Sequence, residues 1–430
     1  MALGAAIVLL LAGVAGAVSH PRWLPPWAVA VAAALFELAT GVTGPHRAAG
    51  AVHPLVQPVV FLLAAVPLAV MLDEIGFFGA VASRVTARGG GAGSLWVVAA
   101  VVTTVLNLDA GVVLLTPLYV RVAHQRGWDP LVLAAQPVLL ACLASSALPV
   151  SNLTNLIAVS WSGASTLQFV SHLALPSLAA SATGWWCYRR WCMAPLGPTE
   201  GSEVPRPDRG GERQGPAPVL EEARAVLVGG LVVALVLCGF TLGPSVGVQP
   251  WVVALVGDAF LVAAMVQAHV GARGGPRLVA IRQVSVPWRA VPAGTAVLVL
   301  ALGVLAIGAA YYLPTGALLS GGSLASLARE TGVAALAANL VNNLPALLVA
   351  LPKVGHRPGP ELWAVLLGVN MGPVLLVTGS LASLLWMSTL RRLGVHVGPK
   401  DFTRFGLRAG LPGAGAGLAV ALALRAVGLH

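Results

Sequence analysis

Residues 95–120 read LWVVAAVVTTVLNLDAGVVLLTPLYV, two apolar arms that meet at a polar centre. The centre holds Asn107 and Asp109. A helix rises about 1.5 Å per residue, so each arm is long enough to reach only about halfway across a bilayer. A carboxylate at that depth costs at least ~2.5 kcal/mol, so an acid in this position indicates a functional site.

Basic residues flank this stretch on both sides. Arg84 and Arg88 precede it, and Arg121 and Arg126 follow it. If the stretch crossed the membrane once, one of the two clusters would lie on the side that the positive-inside rule disfavours. We therefore predict that residues 95–120 form a re-entrant hairpin. Both of its ends would be cytoplasmic, and its tip at residues 107–109 would lie near the midplane.

A second stretch repeats this pattern. Residues 336–353 read LAANLVNNLPALLVALPK, with Asn342 and Asn343 at the centre of an apolar run. The sequence therefore predicts a second re-entrant hairpin at residues 334–352. Two hairpins with polar tips are typical of a transporter in which the tips face each other.

The composition indicates a polytopic membrane protein. The chain has 430 residues, of which 57% are hydrophobic and 9% are charged, whereas soluble domains carry roughly 25% charged residues. The formal charge of +10 comes from arginines in short loops between apolar runs, which is the pattern of cytoplasmic loops and not of a nucleic-acid-binding face. We find no DDxxD, HExxH or GxxxxGK[ST] motif and no metal-ligand spacing of cysteines, so we predict no enzyme, cofactor or metal site.

Two further apolar segments contain proline and polar residues in their middle. Residues 130–161 are interrupted at Pro149, and residues 362–390 at Pro373. Proline removes a backbone donor, so each segment is predicted to be a broken helix whose freed carbonyls need polar partners. The polar residues at the breaks are Ser151, Asn152, Thr154 and Asn155 in the first segment, and Thr378, Gly379 and Ser380 in the second. Such a break suits a hard cation or a polar solute, and the alternative is a seam of interhelical hydrogen bonds.

The whole chain can be threaded through the membrane on these features. We predict an all-α polytopic membrane protein with two inverted repeats, each of five spans plus one re-entrant hairpin and one broken helix. The first repeat (1–190) has further spans at 2–18, 27–42, 55–78 and 166–188. A cytoplasmic linker follows at 191–218, and the second repeat (219–430) has further spans at 219–242, 251–270, 291–312 and 410–427. This threading places most of the 25 lysines and arginines on the cytoplasmic side. The exceptions, which fall on the outer side, are Arg47, Arg329, Lys353, Arg357 and Arg425.

Several of these segments resemble the arsenite/antimonite permease family of the ion transporter superfamily. The similar runs are LDEIGFF (72–78), LDAG to LTP (108–117), SNLTN (151–155), NNLP (342–345) and GSLASLLW (379–386). The resemblance implies efflux of trivalent arsenic or antimony across the plasma membrane. It also implies a proton gradient or an associated cytoplasmic ATPase subunit as the driving force, and distant kinship with dicarboxylate and citrate carriers. The chain departs from the family's pattern at Leu108, and at Asn370 and Val374, where the family has an acid and a lysine.

The candidate binding residues are those at the predicted tips and breaks. They are Asn107, Asp109, Ser151, Asn152, Thr154, Asn155, Asn342, Asn343, Thr378, Gly379 and Ser380. Asp109 is also the candidate proton carrier, because the helix dipole favours its carboxylate while burial at the midplane favours its neutral form. The alternative is that Asp109 only caps the helix that follows it.

The absence of basic side chains from the predicted core indicates what kind of substrate is carried. No lysine or arginine falls in the predicted core, and desolvating an anion without a cation costs several kcal/mol per charge. We therefore predict a neutral trihydroxy arsenic or antimony species as the solute. A carrier of organic or inorganic anions and a cation/proton antiporter stay open, as do sodium as the coupling ion and a second copy of the chain as a partner. Cys142 is assigned to packing and not to contact with a thiophilic centre.

Overall fold

The computed structural model describes residues 2–19, 24–87, 91–193, 220–273, 291–314 and 316–428. Within these ranges the chain is helical and contains no strand, which confirms the all-α prediction. Most of the predicted linker at 191–218 lies outside the described residues, as do Arg88 and most of the loop that follows residue 273. Nineteen α-helices, α1 to α19, are named below in chain order.

The first half of the chain contains ten of these helices. They are α1 (Ala2–Ser19), α2 (Ala28–Ala39), α3 (Pro45–Val52), α4 (Val56–Glu74), α5 (Phe77–Ala87), α6 (Ala92–Leu106), α7 (Leu108–Arg126), α8 (Pro130–Leu143), α9 (Leu153–Ser162) and α10 (Thr166–Trp191). The second half contains α11 (Glu222–Leu242), α12 (Pro250–Arg273), α13 (Ala293–Tyr312), α14 (Leu324–Val341), α15 (Asn343–Val354), α16 (Pro360–Met371), α17 (Leu381–Arg392), α18 (Pro399–Phe405) and α19 (Leu411–Ala426).

Several helical segments are long and apolar enough to cross a membrane. In the described ranges there are five, Pro45–Glu74, Glu222–Val246, Pro250–Ala268, Ala293–Tyr312 and Pro399–Ala426. Shorter apolar helices, such as Ala28–Ala39, Ala92–Leu106 and Asn343–Val354, pack among them. Short helices of this kind are tolerated at membrane depth where neighbouring protein satisfies their ends.

Three helical segments differ most in extent from the sequence-based bounds. The span placed at 55–78 begins at Pro45 and ends at Glu74, because Gly76 adopts a φ of +88° and turns the chain into α5. The last span begins at Pro399 and not at residue 410, since α18 continues into α19 through the π-helical turn Gly406–Gly410. A Cβ at Gly406 would collide with the Val374 carbonyl, so this turn needs glycine there. The first arm of the second hairpin starts at Leu324 and is longer than predicted.

Each predicted hairpin is formed by two helices joined through one asparagine. Asn107 (φ +111°) joins α6 to α7, and Asn342 (φ +78°) joins α14 to α15. They are the two non-glycine residues with positive φ in the described part of the chain. Asparagine is one of the few residues that tolerate such backbone angles, because its short amide can bond locally. The side chain of each asparagine then caps the helix that follows.

Each predicted broken helix is also present as two helices with an irregular join. A 3₁₀ turn, Pro149–Ser151, separates α8 from α9. Two 3₁₀ turns, Gly372–Val374 and Val377–Gly379, separate α16 from α17. Asn152 and Ser380 are the extended residues before α9 and α17, with φ of −148° and −146°. The order of hairpin, broken helix and cap is therefore the same in both halves.

The open ends of the two hairpins lie toward opposite ends of α10. Gly93, at the start of the first hairpin, packs against the Trp185 ring. Thr331 lies on the first arm of the second hairpin and lines a cavity together with His172 and Trp363. The rings of His172 and Trp363 stack with their centroids 4.6 Å apart. Residues 172 and 185 are about 20 Å apart along a helix. The two hairpins therefore lie near positions about 20 Å apart along α10, and residues of both tips line one cavity.

Candidate functional site

The two hairpin tips and the first break enclose a central cavity of about 70 Å³. Its polar wall contains Asp109, Asn152, Thr154, Asn342 and Asn343. These five of the predicted site residues come from three helices that are distant in sequence. About 10–15 Å³ of such volume holds one water molecule, so the cavity suits a few waters or one small solute in this conformation.

The rest of the cavity wall comes from helices that the sequence did not assign to the site. The apolar side is formed by α1 and α13, through Val14, Ala17, Leu298, Val299 and Leu302, with Thr295 as a further polar group. Leu381 and Leu384 of α17 also contribute. Among the described residues that line the cavity there is one acid, Asp109, and no lysine or arginine.

Asp109 is the second residue of α7, with its carboxyl group directed into a buried site. Its backbone N–H donates to Asn107 Oδ1 at 2.9 Å, so Asn107 is the cap of this helix. Asp109 is therefore not the N-cap residue of α7 but lies in its first turn. Its Oδ1 is buried and accepts no hydrogen bond from a described residue. An acceptor left in this state is available to a proton or to a solute hydroxyl.

Four helix N-termini converge on the cavity, those of α7, α9, α15 and α17. Each is capped by the side chain of the residue before it: Asn107 for α7, Asn152 for α9, Asn342 for α15 and Ser380 for α17. Each N-terminus carries roughly half an elementary positive charge. This partial positive charge is what the cavity offers in place of a cation.

A polar network around Asn370 joins the two broken helices. Asn370 Oδ1 accepts from Asn152 Nδ2 at 3.0 Å and from Thr154 Oγ1 at 2.7 Å. Its Nδ2 donates to Asn155 Oδ1 at 2.6 Å and to Ser146 Oγ at 3.2 Å. An amide has two donor hydrogens and two acceptor lone pairs, so this buried side chain is fully satisfied. Asn370 thus fixes the orientation of the two residues that line the cavity.

The breaks are also held by the adjacent hairpins. In the first half, Ser151 Oγ donates to the Thr104 carbonyl at 2.6 Å, and Thr104 Oγ1 donates to the Ala144 carbonyl at 3.3 Å. In the second half, Asn339 Nδ2 donates to the Gly372 carbonyl at 2.7 Å and Asn339 Oδ1 accepts from Leu376 N at 2.9 Å. Thr104 and Asn339 each lie three residues before their hairpin tip.

The remaining predicted site residues lie in this supporting layer and not on the cavity wall. Asn155 Nδ2 donates to the Ser145 and Leu148 carbonyls and so closes the first break. Thr378 offers its carbonyl to Asn342 Nδ2 at 3.2 Å. Gly379 packs closely on Pro373, so a side chain there would be crowded. Cys142 is buried and does not line the cavity, as its assignment to packing requires.

Asn370, Asn339, Thr104 and Thr295 were missed by sequence reasoning. The two asparagines carried a usable signal, since each is an amide inside an apolar helical run. The two threonines did not, because threonine is common in membrane helices and often bonds to its own helix. The described residues contain no group of three or more His, Cys, Asp or Glu that could hold a metal ion.

Comparison with known proteins identifies the family of the chain. Residues 7–368 match the citrate transporter (CitMHS) family, which is most of the chain. The chain belongs to the citrate transporter family. It is therefore a multi-pass membrane transporter and not an enzyme, and the resemblance to the ion transporter superfamily is confirmed at this level.

Within curated proteins, this transporter is similar to arsenical pump membrane proteins. It is 26% identical to the one from Yersinia enterocolitica over 422 residues, which cover 92% of this chain and 93% of the relative. It is 25% identical to the one from Escherichia coli (strain K12) over 389 residues, covering 84% and 87% of the two chains. The protein of the same name from Shigella flexneri matches with the same values.

Proposed function

We propose that this transporter exports trivalent arsenic or antimony from the cell across the plasma membrane, as the neutral trihydroxy species, in exchange for protons. The observation that carries the proposal is the central cavity, which is small and combines one carboxyl group with neutral amides and hydroxyls. The similarity to arsenical pump membrane proteins supports the same solute.

The donor and acceptor groups of the cavity suit a small hydroxylated solute. The amides of Asn342 and Asn343 and the hydroxyl of Thr154 can exchange hydrogen bonds with three hydroxyl groups. A solute without charge also avoids the desolvation that an anion would suffer next to the Asp109 carboxylate. The apolar wall from α1 and α13 then excludes water from the rest of the cavity.

Asp109 is the residue that would couple transport to protons. Asp109 lines the cavity, and its Oδ1 is buried without a hydrogen-bond partner among the described residues. When the solute occupies the cavity, its hydroxyl groups can donate to the carboxylate, so solute and proton compete for the same oxygen. Competition for one buried acceptor gives antiport when the carrier changes sides only with the solute or the proton bound, because each ligand then has to leave before the other can be carried.

An inverted arrangement of the two halves accords with this function. The repeated order of hairpin and broken helix, and the position of the two hairpins toward opposite ends of α10, support it. In such carriers the central site opens to one side at a time as one part of the protein moves against the other.

A second candidate function is transport of a small carboxylate anion. The specific observation in its favour is the convergence of four helix N-termini on the cavity, since such ends bind anions. The name of the citrate transporter family points the same way. Against it stand the Asp109 carboxylate and the small volume of the cavity.

The two candidates are separated by one set of assays. In a bacterium stripped of its own arsenical pumps, the wild-type protein should raise tolerance to arsenite and antimonite and lower cell-associated arsenic. Everted vesicles should accumulate arsenite when acidified inside, without ATP, which also separates proton coupling from a cytoplasmic ATPase partner. Unchanged tolerance together with accumulation of a di- or tricarboxylate would replace the first candidate by the second.

The role of Asp109 is tested in the same vesicles. Asp109→Asn keeps the shape of the side chain and should abolish uphill arsenite transport while leaving exchange of arsenite for arsenite. Asp129→Asn is the matched control, since Asp129 caps the exposed start of α8 and asparagine also caps helices. Undiminished proton-driven accumulation by Asp109→Asn would contradict the coupling role.

A further inference from the structure

A second, wider cavity of about 670 Å³ lies near the ends of α9, α13 and α15. It is lined by Arg47 and His53 from the first half and by Lys353 and His356 from the end of the second hairpin. We call it the basic vestibule. No acidic side chain is among the described residues that line it. It shares no lining residue with the central cavity.

Two of the basic side chains are held in place by aromatic rings. The guanidinium carbon of Arg47 lies 3.6 Å from the centroid of the Tyr311 ring. The His356 ring stacks on Trp161 at 4.4 Å, and the Trp161 indole N–H donates to the Gly355 carbonyl at 3.0 Å. A ring positions a cation without neutralising it, unlike a carboxylate partner. The vestibule therefore presents the Arg47 guanidinium, which Tyr311 orients and which pairs with no acid among the described lining residues.

The dipoles of the helices that carry these basic residues do not explain why both residues lie here. Lys353 does lie in the last turn of α15, where a helix dipole favours a cation. Arg47, however, lies in the first turn of α3, where its own helix disfavours one. The convergence of cations from two distant segments on one cavity therefore calls for an external negative partner.

We propose that the basic vestibule binds a small divalent oxyanion, such as inorganic phosphate or a dicarboxylate, independently of the solute in the central cavity. Fixed cations that flank one cavity favour a ligand with at least two negative charges. The bound anion would connect α3 to the end of the second hairpin. Because α13 and α15 also line the central cavity, the anion would act on the same helices that enclose the transported solute.

The test uses the purified full-length protein in detergent with inorganic phosphate as the probe. Thermal unfolding is followed during a phosphate titration and compared with chloride at equal ionic strength. Phosphate should raise the unfolding temperature saturably. The double substitution Arg47→Gln with Lys353→Gln should weaken the apparent phosphate affinity by about tenfold or more. Arg329→Gln is the matched control, because Arg329 donates to the Ser320 carbonyl outside the vestibule.

The proposal is overturned if phosphate stabilises no more than chloride, or if the double substitution leaves the titration unchanged. The double variant is folded if it elutes from a size-exclusion column at the same volume as the wild-type protein and unfolds at the same temperature in chloride. If it does not, the two single substitutions provide the same comparison, and Lys353→Arg should retain binding. Adding phosphatidylglycerol to zwitterionic nanodiscs separates the two sources of phosphate groups. Loss of the phosphate effect there would assign the vestibule to a lipid headgroup and overturn a soluble ligand.

Discussion

Replacing Asn370 should destabilise the protein far more than a single surface polar residue would. Asn370→Leu keeps the branching of the side chain but removes four side-chain hydrogen bonds, which leaves Asn152, Thr154 and Asn155 without this partner in a buried site. Interhelical hydrogen bonds in membrane proteins average about 0.6 kcal/mol each, and buried groups left unpaired cost more. We therefore expect the free energy of unfolding to fall by roughly 2–4 kcal/mol.

The measurement is equilibrium unfolding in mixed micelles of dodecylmaltoside and dodecyl sulfate, followed by tryptophan fluorescence. A double-mutant cycle of Asn370→Leu with Thr154→Val should give a coupling energy of about 0.5–3 kcal/mol, since the two side chains bond directly. The control cycle pairs Asn370→Leu with Thr241→Val, because the exposed Thr241 hydroxyl bonds only within its own helix. That pair should be additive. Additivity in the first cycle, or a total loss below about 0.5 kcal/mol, would refute the role of Asn370.

Three further predictions concern backbone and topology. Gly308→Ala should strongly lower the unfolding temperature, because the added Cβ would collide with the buried Glu37 carboxyl group. Gly332→Ala should instead raise the free energy of unfolding by about 0.5–1 kcal/mol, because Gly332 lies in a helix with open space around it. Asn107→Gly should leave the unfolding temperature nearly unchanged, because glycine tolerates the positive φ at this position. Asn107→Ala should cost about 1 kcal/mol or more, because alanine must adopt the same positive φ and cannot cap α7. Equal effects of the two substitutions would contradict the tip geometry. In a cysteine-free background, Gln125→Cys should react with an impermeant maleimide in everted vesicles and not in whole cells, and the reverse result would place the first hairpin's flank outside.

The hairpins and breaks could be predicted from the sequence because their signals are local. Asn107 and Asn342 interrupt apolar runs, and an asparagine supplies both the positive φ and the cap that a helix–helix joint needs. Pro149 likewise marks the first break by removing a backbone donor. In each case one residue and its neighbours determine the conformation.

The supporting contacts could not be predicted, since they join residues far apart in the chain. Asn370 bonds to Asn152 across 218 positions, and no local pattern specifies that pair. The same holds for the apolar wall of the central cavity, where Val14 and Leu298 are ordinary lipid-compatible residues until packing brings them together. The extent of Pro45–Glu74 was missed because the 3₁₀ turn at its middle preserves the helix direction despite Pro54.

The two hairpin tips share a backbone conformation but not a chemistry, and this has an energetic consequence. In the proposed inverted arrangement, only a carrier whose two halves were identical throughout would have inward-open and outward-open states of equal energy. Here the first tip carries the Asp109 carboxyl group and the second carries the amides of Asn342 and Asn343. Under the proposed mechanism this difference would give the empty carrier a preferred side, and each ~1.4 kcal/mol would skew the resting populations tenfold. Protonation of Asp109 would then shift this balance.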